Sequence, residues 1–408
     1  MANGMPTLRQ AFVPQPVVGQ TPGKLREYIE GVDPVNKRPF MQEIISGLTG
    51  ALNDEDLKDI SYERSTPRLL DADTEENLHG LFMENNWTDF LPIVLPTEER
   101  VAAMMAGTSH APDETVGRLR PTTFREFWEF TVEKVAVNAV MAGARPEYFP
   151  VILALAASGI TARSSSTTSM STIALVNGPV RNEIRMNYGI GAMGPYNQAN
   201  ATIGRAYGLL SQNLQGGSVP NETYMGSQGN ANAYSCAFAE NEERSPWEPF
   251  HVQKGYRPED STVSLFGCGW YTIFGGGPRE TWKDKFRRSL TACDPFGGPL
   301  LTLDPIVARG FVEKGFDKKE KLIQWCAENS LIPAREYWDN QWIQTLMRPM
   351  AVAGIEPYAG RLKAGDDELI QMFTRENVNV IVVGGETGAM WKIIDGAHMK
   401  TVLVDDWR

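Results

Sequence analysis

The stretch Ser171–Gly217, STIALVNGPVRNEIRMNYGIGAMGPYNQANATIGRAYGLLSQNLQGG, constrains the fold more than any other part of this chain. Ile173–Val176 is an apolar run of strand length, and Asn177-Gly178-Pro179 stops it, because glycine and proline break a ladder and favour a turn. A glycine-rich loop, Gly189-Ile-Gly191-Ala-Met-Gly194, leads into Pro195, a residue suited to the first turn of a helix. From there to Asn213 the spacing predicts a helix with two packing faces. Ile203, Ala206, Tyr207 and Leu210 form an apolar stripe; Asn197, Ala201, Gly204 and Gly208 form a small-residue stripe almost opposite. A glycine inside a helix costs up to about 1 kcal/mol relative to alanine. Two on one face therefore imply close approach of a neighbouring element, the favoured reading, or of a ligand lying at the glycine loop and the helix N-terminus. The loop matches G-x-G-x-x-G without the context of a dinucleotide site. Arg181–Asn187 separate it from the strand, and the first acid downstream is Glu222. An anion pocket stays open.

Elsewhere the signals are local. Prolines 14, 16, 22 and 34 lie among polar residues and predict an extended lead over residues 1–95, with a short helix over 39–52. Such a lead fits contact with another subunit. Thr97 caps a helix start, and Thr122, after Pro121, opens a second that continues through Thr131–Gly143. Pro150–Ser158 gives a third, apolar helix, and Asn138 reads as a core asparagine bonded to backbone. Strands are expected at Ala233–Ala239 and at Ser261–Phe266, the latter ended by Gly267-Cys268-Gly269. Asp304 and Asp317 cap two helices. Val378–Val383, the pair Gly384-Gly385, a short helix through Trp391 and Thr401–Val404 predict a C-terminal β-α-β unit, an arrangement that holds ligands at strand ends. The expected class is α/β: a glycine-rich strand-loop-helix core over residues 96–300, and a helical pair with the β-α-β unit over 301–408.

The most chemically loaded segment is Ala239-Glu-Asn-Glu-Glu-Arg-Ser-Pro-Trp-Glu-Pro-Phe-His251. Glu240, Glu242, Glu243 and Glu248 accompany one of only four histidines within it. Glu248 and His251 have E-x-x-H spacing, which on a helix would place both on one face, but Pro249 between them argues against a regular helix and against a metal site. A charged loop binding backbone and arginine is the favoured reading, with Glu240 or His251 as general acid or base beside it.

Composition narrows the class. The 408 residues carry a net charge of −11, which argues against a nucleic-acid partner held through a basic surface. No apolar run reaches the length of a membrane span, and MANGMPTLRQAF lacks the apolar core of a signal peptide. Cys236, Cys268, Cys293 and Cys326 show no C-x-x-C spacing and read as free thiols, so the expected compartment is the cytoplasm.

Thr131-Val-Glu-Lys-Val-Ala-Val-Asn-Ala-Val-Met-Ala-Gly143, Arg145-Pro-Glu-Tyr-Phe-Pro150, Val176-Asn-Gly-Pro179, Ala199-Asn-Ala-Thr-Ile-Gly-Arg205 and Ala239–Pro249 occur in one order. Together they resemble the long region that accompanies the UGSC-motif (seleno)protein family, over roughly Pro96–Val263. That family is named for a selenocysteine-or-cysteine–Gly–Ser–Cys tetrad in a small α/β domain. The tetrad is absent here, and Ala144 stands where the family has cysteine after Met-Ala-Gly. The resemblance implies an oligomeric enzyme whose thiol or selenol comes from a second subunit bearing the motif. In this chain Asn177, Gly178, Asn187, Gly191, Gly194, Asn200 and Arg205 are expected to bind a small polar or anionic substrate, with Glu240 and His251 moving a proton. Arg205 would pair the anionic group. A self-sufficient metal-dependent lyase or hydratase using Glu240–His251, and a non-catalytic scaffold, are the alternatives. No cofactor is legible.

Overall fold

A computed structural model describes residues 9–15, 17, 20–51, 67–119, 128–163, 169–215, 224, 226–230, 236–277 and 280–408. The chain divides into two compact units: Met1–Ala72 with Trp338–Pro349, and Asp73–Tyr337 with Met350–Arg408.

The smaller unit is less extended than its prolines imply. Helix α1 (Pro22–Glu30) begins where Thr21 Oγ1 accepts from the Lys24 amide, and Pro22 occupies the first helical position, where a missing N–H costs nothing. Helix α2 (Phe40–Thr49) follows Pro39, as expected. Between them Asp33, fully buried, accepts from the amides of Phe12, Val35 and Asn36. Apolar side chains remain on the outside of this unit: Ile29, Val35, Met41, Ile45 and Leu48 are exposed, the last by 82%.

In the larger unit, α3 (Glu75–Glu84) and α4 (Glu98–Met105) each start on a threonine, Thr74 and Thr97, whose hydroxyl accepts from the amide three residues on. Strands β1 (Thr115–Leu119) and β2 (Trp128–Thr131) form an antiparallel ribbon ahead of α5 (Val132–Met141). The expected helix start at Thr122 lies outside the described residues, and Trp128–Thr131 is strand rather than helix. Phe130, 1% exposed, points into the core from it, and β1 supplies the ladder partner that a helix would not need. Helix α6 (Phe149–Ala157) is buried along almost all of its length.

Ten strands in all are described, and six make the central sheet. Strand β3 (Ser171–Asn177) is buried throughout and is followed by the short α7 (Val180–Glu183) and by α8 (Gln198–Asn213). Then come β4 (Ala237–Ala239), the four-residue α9 (Phe250–Gln253), β5 (Thr262–Gly276), α10 (Trp282–Leu290), β6 (Pro299–Leu303), α11 (Pro305–Glu313) and α12 (Lys319–Asn329). Strands β7 (Leu331–Pro333) and β8 (Leu369–Gln371) pair with each other, and β9 (Asn379–Val382) and β10 (Met390–Leu403) complete the set. The central order is β4-β3-β5-β10-β6-β9, with β3–β4 and β6–β9 parallel and the other neighbours antiparallel. The class is α/β.

This sheet curls until its edges approach. Just past β4, the Asn241 amide donates to Val382 O of β9 at 2.8 Å, and Asn241 Nδ2 donates to Gly384 O at 2.9 Å. Edge groups left without partners are thereby used. Alternation along the strands sorts the faces. Ile173, Leu175, Phe238, Phe266, Ile381 and Ile394 line the concave side, with Phe250 of α9 inserted among them. Ala174, Val176, Ala239, Val263 and Leu265 belong to the core shared with α5, α6 and α8 on the convex side.

Several local expectations change; Asp317, for one, does not cap α12, whose N-cap is Lys318, and pairs with Lys321 instead. Strand β5 does not stop at Gly267 but runs on to Gly276, because β10 goes on pairing with it beyond Cys268, where β3 ends. Its glycines make room for neighbours: a Cβ at Gly275 would sit 2.4 Å from the Trp391 ring. The short helix through Trp391 is instead the start of the 14-residue β10, which lies between β5 and β6, so the C-terminal segment is not a β-α-β unit. The residues 96–300 and 301–408 consequently share one sheet. Of the strand expected at Ala233–Ala239, only Ala237–Ala239 falls in β4, and 231–235 lie outside the described residues.

Helix α8 starts three residues after Pro195, capped by Asn197 Oδ1, which accepts from the Ala199 and Asn200 amides. Both of its faces are buried, and it is wedged among α5, α6 and β4. Asn138 donates to Lys134 O at 2.9 Å and accepts from Asn213 at 2.8 Å, a core asparagine with partners.

Candidate functional site at the mouth of the curled sheet

Two glycine-rich segments that stand far apart in sequence meet at one end of the concave face. The first is the loop Gly189–Gly194. Asn187 Oδ1 accepts from the Gly189 amide at 2.9 Å and its Nδ2 donates to Ile190 O at 2.8 Å. Asn200, buried on α8, accepts from the Asn187 amide at 2.9 Å and donates to Asn187 O and Ala192 O at 2.9 and 3.0 Å. These two asparagines shape the loop from within. Gly191 has φ +73°, and a Cβ on it or on Gly194 would lie 2.8 or 2.6 Å from the Tyr196 ring, so that ring rests directly on the loop backbone.

The second segment is the turn after β9. Gly384 has φ +132° and donates its amide to Tyr188 O at 3.1 Å. A Cβ on Gly385 would lie 2.2 Å from Ile190 Cγ1 and 2.5 Å from Ile190 N, which makes glycine obligatory where turn and loop touch. Asp304, the N-cap of α11, accepts the Glu386 amide at 3.0 Å. The Arg309 hydrogen bond, with further help from Arg244, holds the Glu386 carboxyl below its ordinary range.

Between loop and turn lies a cleft of about 360 Å³. Strand register sets its floor: Thr302 of β6 pairs with Lys392 of β10 and with Ile381 of β9, so all three share the concave face. Thr302, Asp304, Thr387 and Lys392 supply its polar groups, and Lys392 has no ion pair among the described residues. Ile190 and Tyr196, 68% and 80% exposed, stand at the rim. Of the residues singled out in the sequence, Gly191, Gly194 and the pair Gly384-Gly385 line this cleft, and Asn187 and Asn200 frame it.

Asn177, Gly178, Glu240 and His251 come together elsewhere, at the ends of the parallel strands β3 and β4. Glu240 is fully buried; its Oε2 accepts from Asn177 Nδ2 and from the Phe250 amide, both at 2.7 Å, and its Oε1 lies 3.5 Å from Lys319 Nζ and from the Val382 amide. Glu242 Oε1 accepts from Asn177 Nδ2 and the Gly178 amide, each at 2.8 Å. Arg181, 3% exposed, ties the segment down. It donates to Gly178 O at 3.0 Å and Glu240 O at 2.6 Å, and it pairs with Glu242 at 2.9 Å and Glu243 at 3.1 Å. Burial works against the Glu243 carboxylate, yet the hydrogen bonds from Arg181 and Asn182 hold its pKa below the usual range. His251 is fully buried, neither ring nitrogen has a hydrogen-bond partner, and Glu242 Oε1 stands 3.9 Å from Nδ1. Glu248 is exposed, so the E-x-x-H pair does not share a site. Among the described residues no group of three His, Cys, Asp or Glu side chains is arranged to hold a metal ion.

Arg205 joins neither place. Its guanidinium makes a two-pronged bond to Asp89, 2.9 Å on each oxygen, and donates to Pro92 O at 2.8 Å, so it tethers α8 to the segment before α4 rather than meeting a substrate anion. Burial pushes the Cys293 and Cys326 thiols far up, which leaves both unreactive, and the side chain of Cys268 lies outside the described residues. Sequence reasoning missed Lys392, Lys319, Arg181 and Asn241. Only the alternation of Met390-Trp-Lys-Ile, had it been read as strand instead of helix, would have pointed to Lys392. Neither the protein-family models nor the curated proteins compared with this chain contain a match.

Proposed function

We propose that this chain is the substrate-binding subunit of a heteromeric enzyme acting on a small polar or anionic molecule, which it holds in the cleft at the mouth of the curled sheet. The observation that carries this reading is the juxtaposition of Lys392 and Thr302 on one concave layer beneath the two apposed glycine segments. A cation without an ion pair, hydroxyls and close backbone suit a carboxylate or phosphate group. In this reading the thiol or selenol is supplied by a partner bearing a Cys/Sec-Gly-Ser-Cys motif. The metal-dependent lyase reading draws less support, because the Glu240 oxygens already serve Asn177, Phe250 N and Lys319.

Calorimetric titration with a panel of small carboxylates and phosphates tests the cleft. Lys392→Glu is expected to lower affinity for the ligand that binds by about ten-fold or more, from loss of a charge-assisted hydrogen bond, while Lys392→Arg keeps most of it. A panel that fails to bind the wild-type chain, or a Lys392→Glu variant that binds equally well, rejects the reading.

The exposed apolar side chains Ile29, Met41, Ile45 and Leu48 of α1 and α2 favour association. Light scattering coupled to size exclusion should find an oligomer in material isolated from the native host. Deleting roughly the first forty residues should weaken that assembly more than it unfolds the remainder. A fully active monomer rejects the subunit role.

A further inference from the structure

On the cleft as the ligand-holding site rests a narrower assignment: we propose that its occupant is a zwitterion, an α-amino acid with an apolar side chain, whose carboxylate meets Lys392 and whose ammonium meets Asp304. Asp304 lines the cleft yet is 7% exposed, and two amides hold its carboxylate, Oδ1 accepting from Ile306 at 2.9 Å and Oδ2 from Glu386 at 3.0 Å. A carboxylate offers about four acceptor positions, so about two stay open to a donor in the cleft. Buried charges are ordinarily paired, but among the described residues neither Asp304 nor Lys392 forms an ion pair. Arg309 and Arg244 do not serve Asp304, since both are engaged with Glu386 on the adjoining turn.

Strand geometry puts the two charges on successive rungs of one face. Thr302 pairs with Lys392, and two residues further along β6 the Asp304 amide donates to Met390 O at 3.0 Å. Two residues of strand advance about 7 Å. That spacing leaves room for a group carrying both signs a few bonds apart, with a charge-assisted hydrogen bond of about 2.8 Å at each end. A plain carboxylate or phosphate on Lys392 leaves Asp304 without a countercharge. A zwitterion answers both side chains and brings no net charge into the cleft. Next to the charged rungs, Met390, Ile190 and the Tyr196 ring form an exposed apolar rim, the place for the amino acid's side chain. The volume of about 360 Å³ suits one small molecule.

Calorimetric titration of the full chain at neutral pH with three matched probes tests this: L-leucine, 4-methylpentanoate, which lacks the ammonium, and L-leucinamide, which lacks the carboxylate. Leucine is expected to bind about ten-fold or more tightly than either, from one charge-assisted hydrogen bond lost in each analogue. A folded Asp304→Asn protein, which keeps an oxygen for the Ile306 amide, should lose the preference for leucine over 4-methylpentanoate. Equal binding of leucine and 4-methylpentanoate by the wild-type chain overturns the zwitterion and leaves an anion-holding cleft in place. Equal binding of leucine and leucinamide overturns both assignments. Binding of none of the three also overturns the zwitterion, and the cleft itself is then decided by the panel of carboxylates and phosphates. The wild-type comparison needs no variant, and a preference that survives in Asp304→Asn rejects the role of Asp304.

Discussion

Lys319→Met is expected to lower the stability of the larger unit by about 3–5 kcal/mol, the largest loss foreseen for a single substitution here. The side chain and its partner Glu240 are both fully buried, 3.5 Å apart. Removing the cation leaves a carboxylate in a low-dielectric interior with hydrogen bonds from Asn177 and the Phe250 amide but no countercharge. The location sharpens the effect, because Glu240 Oε1 also reaches the Val382 amide and so sits where the two sheet edges approach. The double variant Glu240→Gln, Lys319→Met removes both charges and should recover most of the loss, since a buried pair contributes little net stability compared with neutral replacements. Denaturant unfolding of the two single variants and the double variant measures the cycle. A Lys319→Met protein within about 1 kcal/mol of wild type would show that the Lys319–Glu240 contact does not hold this part of the fold.

Arg181→Met should cost a similar amount, about 3–5 kcal/mol, for a different reason. The guanidinium neutralises Glu242 and Glu243 and satisfies two buried carbonyls, Gly178 O and Glu240 O. Without it two carboxylates lose their shared countercharge and Glu240 O loses its guanidinium donor, while Gly178 O keeps only the Arg181 amide at 3.3 Å. Arg181→Lys should restore only part of the loss, because an ammonium cannot reproduce the fork that meets both acids and both carbonyls. Far-ultraviolet circular dichroism through a thermal melt separates the outcomes, and equal melting of the lysine and wild-type proteins would show that charge alone matters at this position.

Both predictions depend on residues that sequence reasoning did not single out. Capped helix starts were legible at Thr97 and Asp304, because a side-chain oxygen and an amide two or three residues away suffice to make the cap. The strand at β3 and its stop at Gly178, φ +83°, were legible for the same local reason. The Asn-rich setting of the glycine loop was legible too, but not its use. Asn187 and Asn200 bond to the loop backbone, which a list of polar residues cannot distinguish from bonding a ligand.

What the sequence by itself determined is therefore the set of local elements whose partners lie within a turn or two, together with the α/β class that their alternation implies. The tertiary structure alone decided that Met390–Leu403 is a strand, since its ladder partners in β5 and β6 lie about a hundred residues upstream. It also decided that Arg205 meets Asp89 and not a ligand, and that Lys392 shares a concave layer with Thr302. The physical reason is the same in each case. A charge or a strand edge is satisfied by whatever the folded chain brings within about 3 Å, and sequence spacing carries that information only when the partner is close along the chain.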